Sequence, residues 1–207
     1  DTVWVYDGVY DPVSLNKSGS AGAPISYVSI NKYGAHIYAS SSLVDYDSVF
    51  YNSGDYVNII GFEVSSSIAS TRHGIMHESS HTRTVANHVH DIVADGAGGN
   101  GGAGIFAGWQ IGIGYTAIDN DATGNLVHDI GYPAGTVYVH GIYWSGPGGK
   151  IKSNLVYRTG GWGIHLWHSP ANIDVTNNTT FGNKHGGIIL GADDPPGPSN
   201  CRVNNNI

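Results

Sequence analysis

Gly141-Ile142-Tyr143-Trp144, followed by Asn154-Leu155-Val156-Tyr157-Arg158 and then Gly163-Ile164-His165-Leu166, is the stretch that decides the fold. Two short elements alternate in it. One is Gly-Ile followed by alternating residues. The other is Asn followed two residues later by Val or Thr. Reading outward, Gly-Ile recurs at Gly74-Ile75, Gly104-Ile105 and Gly187-Ile188, with successive spacings of 30, 37, 22 and 24 residues. The Asn element recurs at Asn87-His88-Val89, Asn125-Leu126-Val127 and Asn178-Thr179-Thr180, spaced 38, 29 and 24 residues apart. Gly61-Phe62-Glu63-Val64 fits as an earlier copy and Asn204-Asn205-Asn206-Ile207 as a final one.

A coil of about 22–30 residues cannot bury its apolar face alone, whereas stacked coils can. The pattern therefore predicts a solenoid with one coil per period and two marked strands per coil. Alternation along a strand puts Ile75, Ile105, Ile142, Ile164 and Ile188 in one inward column. The repeated Asn is expected at a corner, in left-handed backbone, hydrogen-bonding along the stack. Insertions at Asp95–Gly104 and Tyr132–Gly135 lengthen two coils, and insertions in a solenoid gather on one face, often the binding face.

The remaining sequence agrees. Apolar residues at helical spacing are nearly absent, and short apolar strands such as Val3-Trp4-Val5-Tyr6 and Val57-Asn58-Ile59-Ile60 are broken by Gly, Asn or Asp. Of 207 residues, 31 are Gly, 12% are charged and the net charge is −7. That balance argues against nucleic acid as a general partner, which needs a basic field. No run approaches the ~20 apolar residues of a membrane span. The single Cys201 cannot close an internal disulfide. The length fits one domain over residues 1–207.

This alternation resembles the right-handed parallel β-helix repeat of the pectate-lyase-like superfamily. The opening Asp1-Thr2-Val3-Trp4-Val5-Tyr6-Asp7-Gly8-Val9-Tyr10, with Ser18-Gly19-Ser20-Ala21-Gly22-Ala23-Pro24-Ile25 after it, is similar to the first coils of bacterial members that act on polysaccharides. The resemblance implies an all-β, single-stranded right-handed parallel β-helix of about 6–8 coils. It also implies a secreted or cell-surface protein whose partner is a polysaccharide. It specifies fold more than activity, because one fold hosts many chemistries. Such proteins usually carry a cap ahead of the segment resembling Asp1–Tyr10. The sequence thus reads as a piece of a longer chain with caps missing at both ends, and open ends invite self-association.

Three motifs match familiar patterns outside their required context. His77-Glu78-Ser79-Ser80-His81 matches the zinc-protease pattern, which needs a helix, yet its flanking Ser and Thr residues are poor helix formers. Gly99-Asn100-Gly101-Gly102-Ala103-Gly104 satisfies the dinucleotide fingerprint without a following helix. Asp119-x-Asp121-x-Thr123-Gly124 starts like a calcium loop but has Ile130 where the loop needs Glu. A looser calcium site there remains an expectation beside a simple Asx-rich turn.

Aligning coils by the Asn element stacks His90, His128, Tyr157 and Phe181 in one column and Asp91, Asp129 and Arg158 in the next. Adjacent coils lie ~4.8 Å apart. If solvent-facing, this set could serve general acid–base chemistry. The plain alternative is a surface ladder in which Arg158 pairs with Asp129 and the rings stack. Aligning by Gly-Ile gives an outward column of Met76, Phe106, Tyr143, His165 and Ile189, with Trp144, Trp162 and Trp167 nearby. Lys150, Lys152 and Arg158 add cations, so these aromatics and lysines are candidate sugar-binding residues for an acidic polymer. The alternative is corner packing for the Trp residues and a solvated turn for the Lys residues.

Two enzyme chemistries follow. A lyase would neutralise a uronate carboxylate with Arg158 and Lys150 or Lys152, and take the C5 proton with His128, His165 or Tyr157. A hydrolase would use Asp91 and Asp129 as paired carboxylates. The basic and aromatic cluster favours the lyase. A fibre, adhesin, tailspike-like or surface assembly module is the non-catalytic alternative.

Overall fold

The computed structural model describes residues 1–96, 101–168, 170–193, 195 and 197–207. It is an all-β solenoid of about seven coils. Each coil contributes one strand to each of three parallel sheets. The first sheet has eight strands, from Thr2–Val5 to Arg202–Asn204; the second has seven, from Gly8–Tyr10 to Thr179–Phe181; the third has seven, from Val13–Leu15 to Gly186–Leu190. The sequence marks the second and third sheets only. Strands of the first share no fixed residue, because their inward positions run Tyr27, Ile59, Thr84, Ala122, Ile151 and Val175.

The Gly-Ile column forms as expected. Ile75, Ile105, Ile142, Ile164 and Ile188 are successive register partners, and the first four are fully buried. Val64, Val89, Val127 and Val156 form the facing column on the second sheet.

The glycine before each Ile is required by a close approach. A Cβ on Gly141 would stand 2.2 Å from Val156 Cγ1, on Gly74 2.4 Å from Val89 Cγ1, and on Gly104 2.6 Å from Val127 Cγ1. Gly and Ile thus both face the interior, and the alternation slips by one. The residue two before each Ile is thereby turned outward instead of inward. Gly141→Ala is expected to cost about 2 kcal/mol or more by overpacking, read as a lower denaturant midpoint at unchanged slope. An unchanged midpoint would refute the close-approach argument.

The Asn ladder forms, with one correction. Asn87, Asn125, Asn154 and Asn178 are buried, and each Nδ2 donates to the Oδ1 of the next Asn at 2.9–3.2 Å, the last to Asn206. Each also donates to a carbonyl of the first sheet, for example Asn125 Nδ2 to Thr84 O at 2.9 Å. The left-handed residue, however, is the one before: Ala86, Gly124, Ser153, Asn177 and Asn205 have φ between 53° and 67°. The corner is turned there, which aims the following Asn into the stack. Phe62 occupies the corresponding place in the earlier coil, with its N–H donating to Asn87 Oδ1.

The motif matches resolve differently. His73–His77 is a strand, and Glu78 to Ser80 turn away from it without a helix. His77 is fully buried, 2.7 Å from Thr84 Oγ1. Glu78 accepts from the Tyr51 hydroxyl and from the Ile111 N–H. Gly99 and Asn100 of the dinucleotide-like run lie outside the described residues. Asp119 and Asp121 both pair with Arg83, whose guanidinium occupies the position of a bridging cation.

Candidate functional site

The outer face of the third sheet carries a groove of about 740 Å³. Its floor is built from two columns. One is the expected column Met76, Phe106, Tyr143, His165 and Ile189, in register from coil to coil. The other exists because of the Gly-Ile slip: it brings His73, His140 and Trp162 to the same face. One wall comes from segments entering the sheet, with Tyr46, Arg72, Val137 and Tyr138. The other comes from segments leaving it, with Trp109, Tyr115, Trp167, His168 and Asp193. Val137 and Tyr138 follow the Tyr132–Gly135 insertion, and Gly101 and Gly102 of the Asp95–Gly104 insertion line the groove.

Burial sets the chemistry. His73 and His140 are 4% exposed. Burial, aided by Arg72, pushes the His73 imidazole down to about 3; burial and the neighbouring imidazoles hold His140 well below its ordinary value. Burial, with His168 adding, lowers His165 to about 4. Desolvation also pushes the Tyr143 phenol far above its usual range. At neutral pH the floor therefore presents neutral imidazoles and a protonated phenol. His165 Nδ1 lies 2.9 Å from His140 Nε2, while the buried His165 Nε2 and His73 Nδ1 have no hydrogen-bond partner among the described residues.

Arg72 supplies positive charge. Its Nε donates to Gly101 O at 3.0 Å, and it pairs with no carboxylate among the described residues. The one carboxylate among the described lining residues is Asp193, 3.1 Å from His168 Nδ1. His168 in turn stacks on Tyr115 with centroids 3.5 Å apart.

The structure distributes the residues singled out from sequence over three faces. Tyr143, His165, Trp162 and Trp167 line the groove. Trp144 does not. Two residues after Ile142 it faces inward, 1% exposed in the core, which corrects its assignment to substrate binding. Lys150 and Lys152 are on the first sheet, where Lys150 is the register partner of Asp121 and Asp174. They do not flank the aromatic groove, because the chain turns a corner between Trp144 and Gly149 and leaves the third sheet for the first.

His90, Asp91, His128, Asp129, Tyr157 and Arg158 come together on the second sheet as a ladder. His90, His128, Tyr157 and Phe181 stack with centroids 5.4, 4.7 and 4.8 Å apart. Arg158 Nε donates to Asp129 Oδ1 at 2.7 Å, and the pairing with Arg158 holds the Asp129 carboxyl below its ordinary range. Asp91, Asp129 and Arg158 all have left-handed backbone, which carries them off the pleat. This is the ladder alternative, on a different face from the groove.

Sequence reasoning missed Arg72, His73, Tyr46, Trp109, Tyr115 and Tyr138 as groove residues. Strict alternation would bury His73, and only the steric demand on Gly74 reveals the slip. The others sit on irregular segments that carry no repeat signal.

No family profile and no curated protein matches this sequence. Solved structures do match in shape. The pectate lyase Pel9A superposes with a TM-score of 0.71 at 18% identity, over 88% of this chain and 45% of that one. An alginate lyase from Paenibacillus sp. str. FPU-7 gives 0.68 at 17% identity, over 100% of this chain and 68% of that one. This chain has the pectate-lyase-like parallel β-helix fold. A rhamnogalacturonan lyase shares this fold at a TM-score of 0.55 and 20% identity, over 96% of this chain and 57% of that one. The chain thus spans less than half the length of the β-helical pectate lyase. Among its described residues no helix is long and apolar enough to cross a membrane.

Buried neutral imidazoles make this β-helix acid-sensitive. His77, like His73, is pushed by burial down to about 3. In the unfolded chain these groups take up protons below about 6.5. Stability is therefore complete above that pH and is lost as pH falls towards 3. The melting temperature is expected to fall by on the order of 10 °C between pH 7 and 4.5. A flat profile to pH 4.5 would contradict the buried neutral state.

Proposed function

We propose that the chain is a secreted or cell-surface polysaccharide lyase that binds an acidic polymer along the third-sheet groove and cleaves it by β-elimination. The observation that carries this reading is the groove's composition: neutral imidazoles, a phenol, aromatic rings and an Arg72 that pairs with no carboxylate among the described residues. Aromatic faces bind the carbon-rich faces of sugars, and Arg72 neutralises a uronate carboxylate, which acidifies the C5 proton. His165, a neutral imidazole lining the groove, takes that proton. The C–H electron pair becomes the C4–C5 double bond as the C4–O bond breaks. Tyr143, the register neighbour of His165, donates its phenolic proton to the departing oxygen. An incoming carboxylate raises the imidazole's proton affinity towards the working range. A hydrolase with paired carboxylates is less well supported, because Asp91 and Asp129 lie on another face.

The test is incubation with pectate, alginate, other uronate polymers and neutral glucans. Ultraviolet absorbance of unsaturated uronate is followed alongside reducing ends. The expected result is that both rise together on a uronate polymer and neither on a neutral one. Reducing ends without absorbance would replace the lyase by a hydrolase.

A further inference from the structure

Outside the groove, the second sheet holds a cluster of three side chains able to ligate a metal. Glu63 lies on the strand Glu63–Ser66, and His88 and His90 lie on the next coil's strand His88–Ile92. One ligand atom from each of the three lies within 4.8 Å of the others, in a half-buried setting. His90 Nδ1 is 2.8 Å from Asp91 Oδ2, an acceptor, so Nδ1 carries the proton and Nε2 the lone pair. That Nε2 faces Glu63 Oε1, another acceptor, at 2.9 Å. A second proton, making His90 an imidazolium between two carboxylates, closes this contact, and so does a metal ion in that proton's place.

The same bookkeeping reaches His88. His128 Nδ1 donates to Asp129 Oδ2 at 2.6 Å, which leaves the lone pair on His128 Nε2. His88 Nε2 lies 2.8 Å from that atom and donates to it. The lone pair of His88 is then on Nδ1, which has no partner among the described residues. With one proton each, His88 and His90 both present a lone pair, one backed by a carboxylate directly and one through His128. Carboxylate-backed imidazoles are the usual second layer of a metal site.

We propose that Glu63, His88 and His90 bind one zinc-type divalent ion, which fastens two neighbouring coils. Imidazole and carboxylate together suit such an ion. A tetrahedral zinc needs ligand atoms about 3.4 Å apart, so the site closes when the widest spacing, at most 4.8 Å, contracts and the 2.9 Å Glu63–His90 contact widens by about 0.5 Å. The fourth position stays open to water. The ion sits away from the groove, so its effect is on stability.

The test uses the full chain with zinc chloride alone. Calorimetry is expected to give one ion per chain at micromolar Kd, and the melting temperature to rise by 5 °C or more with zinc but not with equal calcium. Cobalt is expected to give the visible absorption of a four-coordinate ion. Glu63→Gln and His90→Gln should each weaken zinc binding at least tenfold, whereas His165→Ala should leave it unchanged. Absence of stoichiometric binding by the wild-type chain would overturn the proposal. So would zinc affinity that survives both Glu63→Gln and His90→Gln, since the ion would then sit elsewhere. If either variant fails to fold, the wild-type cobalt spectrum decides: a six-coordinate or absent spectrum overturns the site.

Discussion

Asn125→Ala is expected to lower the melting temperature by on the order of 10 °C without altering the fold class. The side chain is buried, and its Oδ1 accepts from the Asn87 backbone N–H at 2.9 Å and from Asn87 Nδ2 at 3.2 Å. Its Nδ2 donates to Thr84 O and to Asn154 Oδ1, both at 2.9 Å. Alanine leaves donors and acceptors of three coils without partners in a site too small to admit bulk water. Each orphaned buried group costs about 1–3 kcal/mol, so a loss of about 3–5 kcal/mol follows. At roughly 2–4 °C per kcal/mol for a domain this size, that is the predicted shift. Asn206→Ala, at the end of the ladder, should cost less, because Asn206 backs one neighbour and is only half-buried. Equal melting temperatures for wild type and Asn125→Ala would show that the ladder does not hold the stack.

The second large effect concerns Arg72. Arg72→Ala is expected to lower kcat/KM on a uronate polymer about 10²–10³-fold, the range for removing one preorganised charge-stabilising group. The cation pairs with no carboxylate among the described residues, so its charge is available to substrate. The loss should be much smaller on a methyl-esterified polymer, which brings no carboxylate to neutralise. A loss equal on both polymers would make Arg72 a structural residue of the wall.

The repeat made most of the fold legible. Gly-Ile and Asn each mark a place where one coil touches the next: Gly141 has no room for a Cβ, and Asn154 has four hydrogen-bond partners along the stack. Such constraints recur once per coil and so surface as sequence periodicity. The first sheet escaped this reading because Thr84, Ala122 and Ile151 fill the same inward column with different volumes. The site was half legible. Tyr143 and His165 followed from register alone. Trp144 is next to the column in sequence but not on its face, because the parity of the strand sends it inward. His73 and His140 needed the slip at the glycine, which is a steric fact about the opposite sheet. Lys150, Lys152 and Arg158 are near one another in sequence, but corners separate them in space, onto the first and second sheets.

The most direct measurement compares His165→Ala with Arg158→Ala, assayed side by side on a uronate polymer that the wild-type chain cleaves. His165 lines the groove as a neutral imidazole, while Arg158 is engaged with Asp129 on the second sheet. The prediction is a loss of at least a hundredfold for His165→Ala, with Arg158→Ala within twofold of wild type. Full activity in His165→Ala with loss in Arg158→Ala would move the active site to the second-sheet ladder and contradict the assignment.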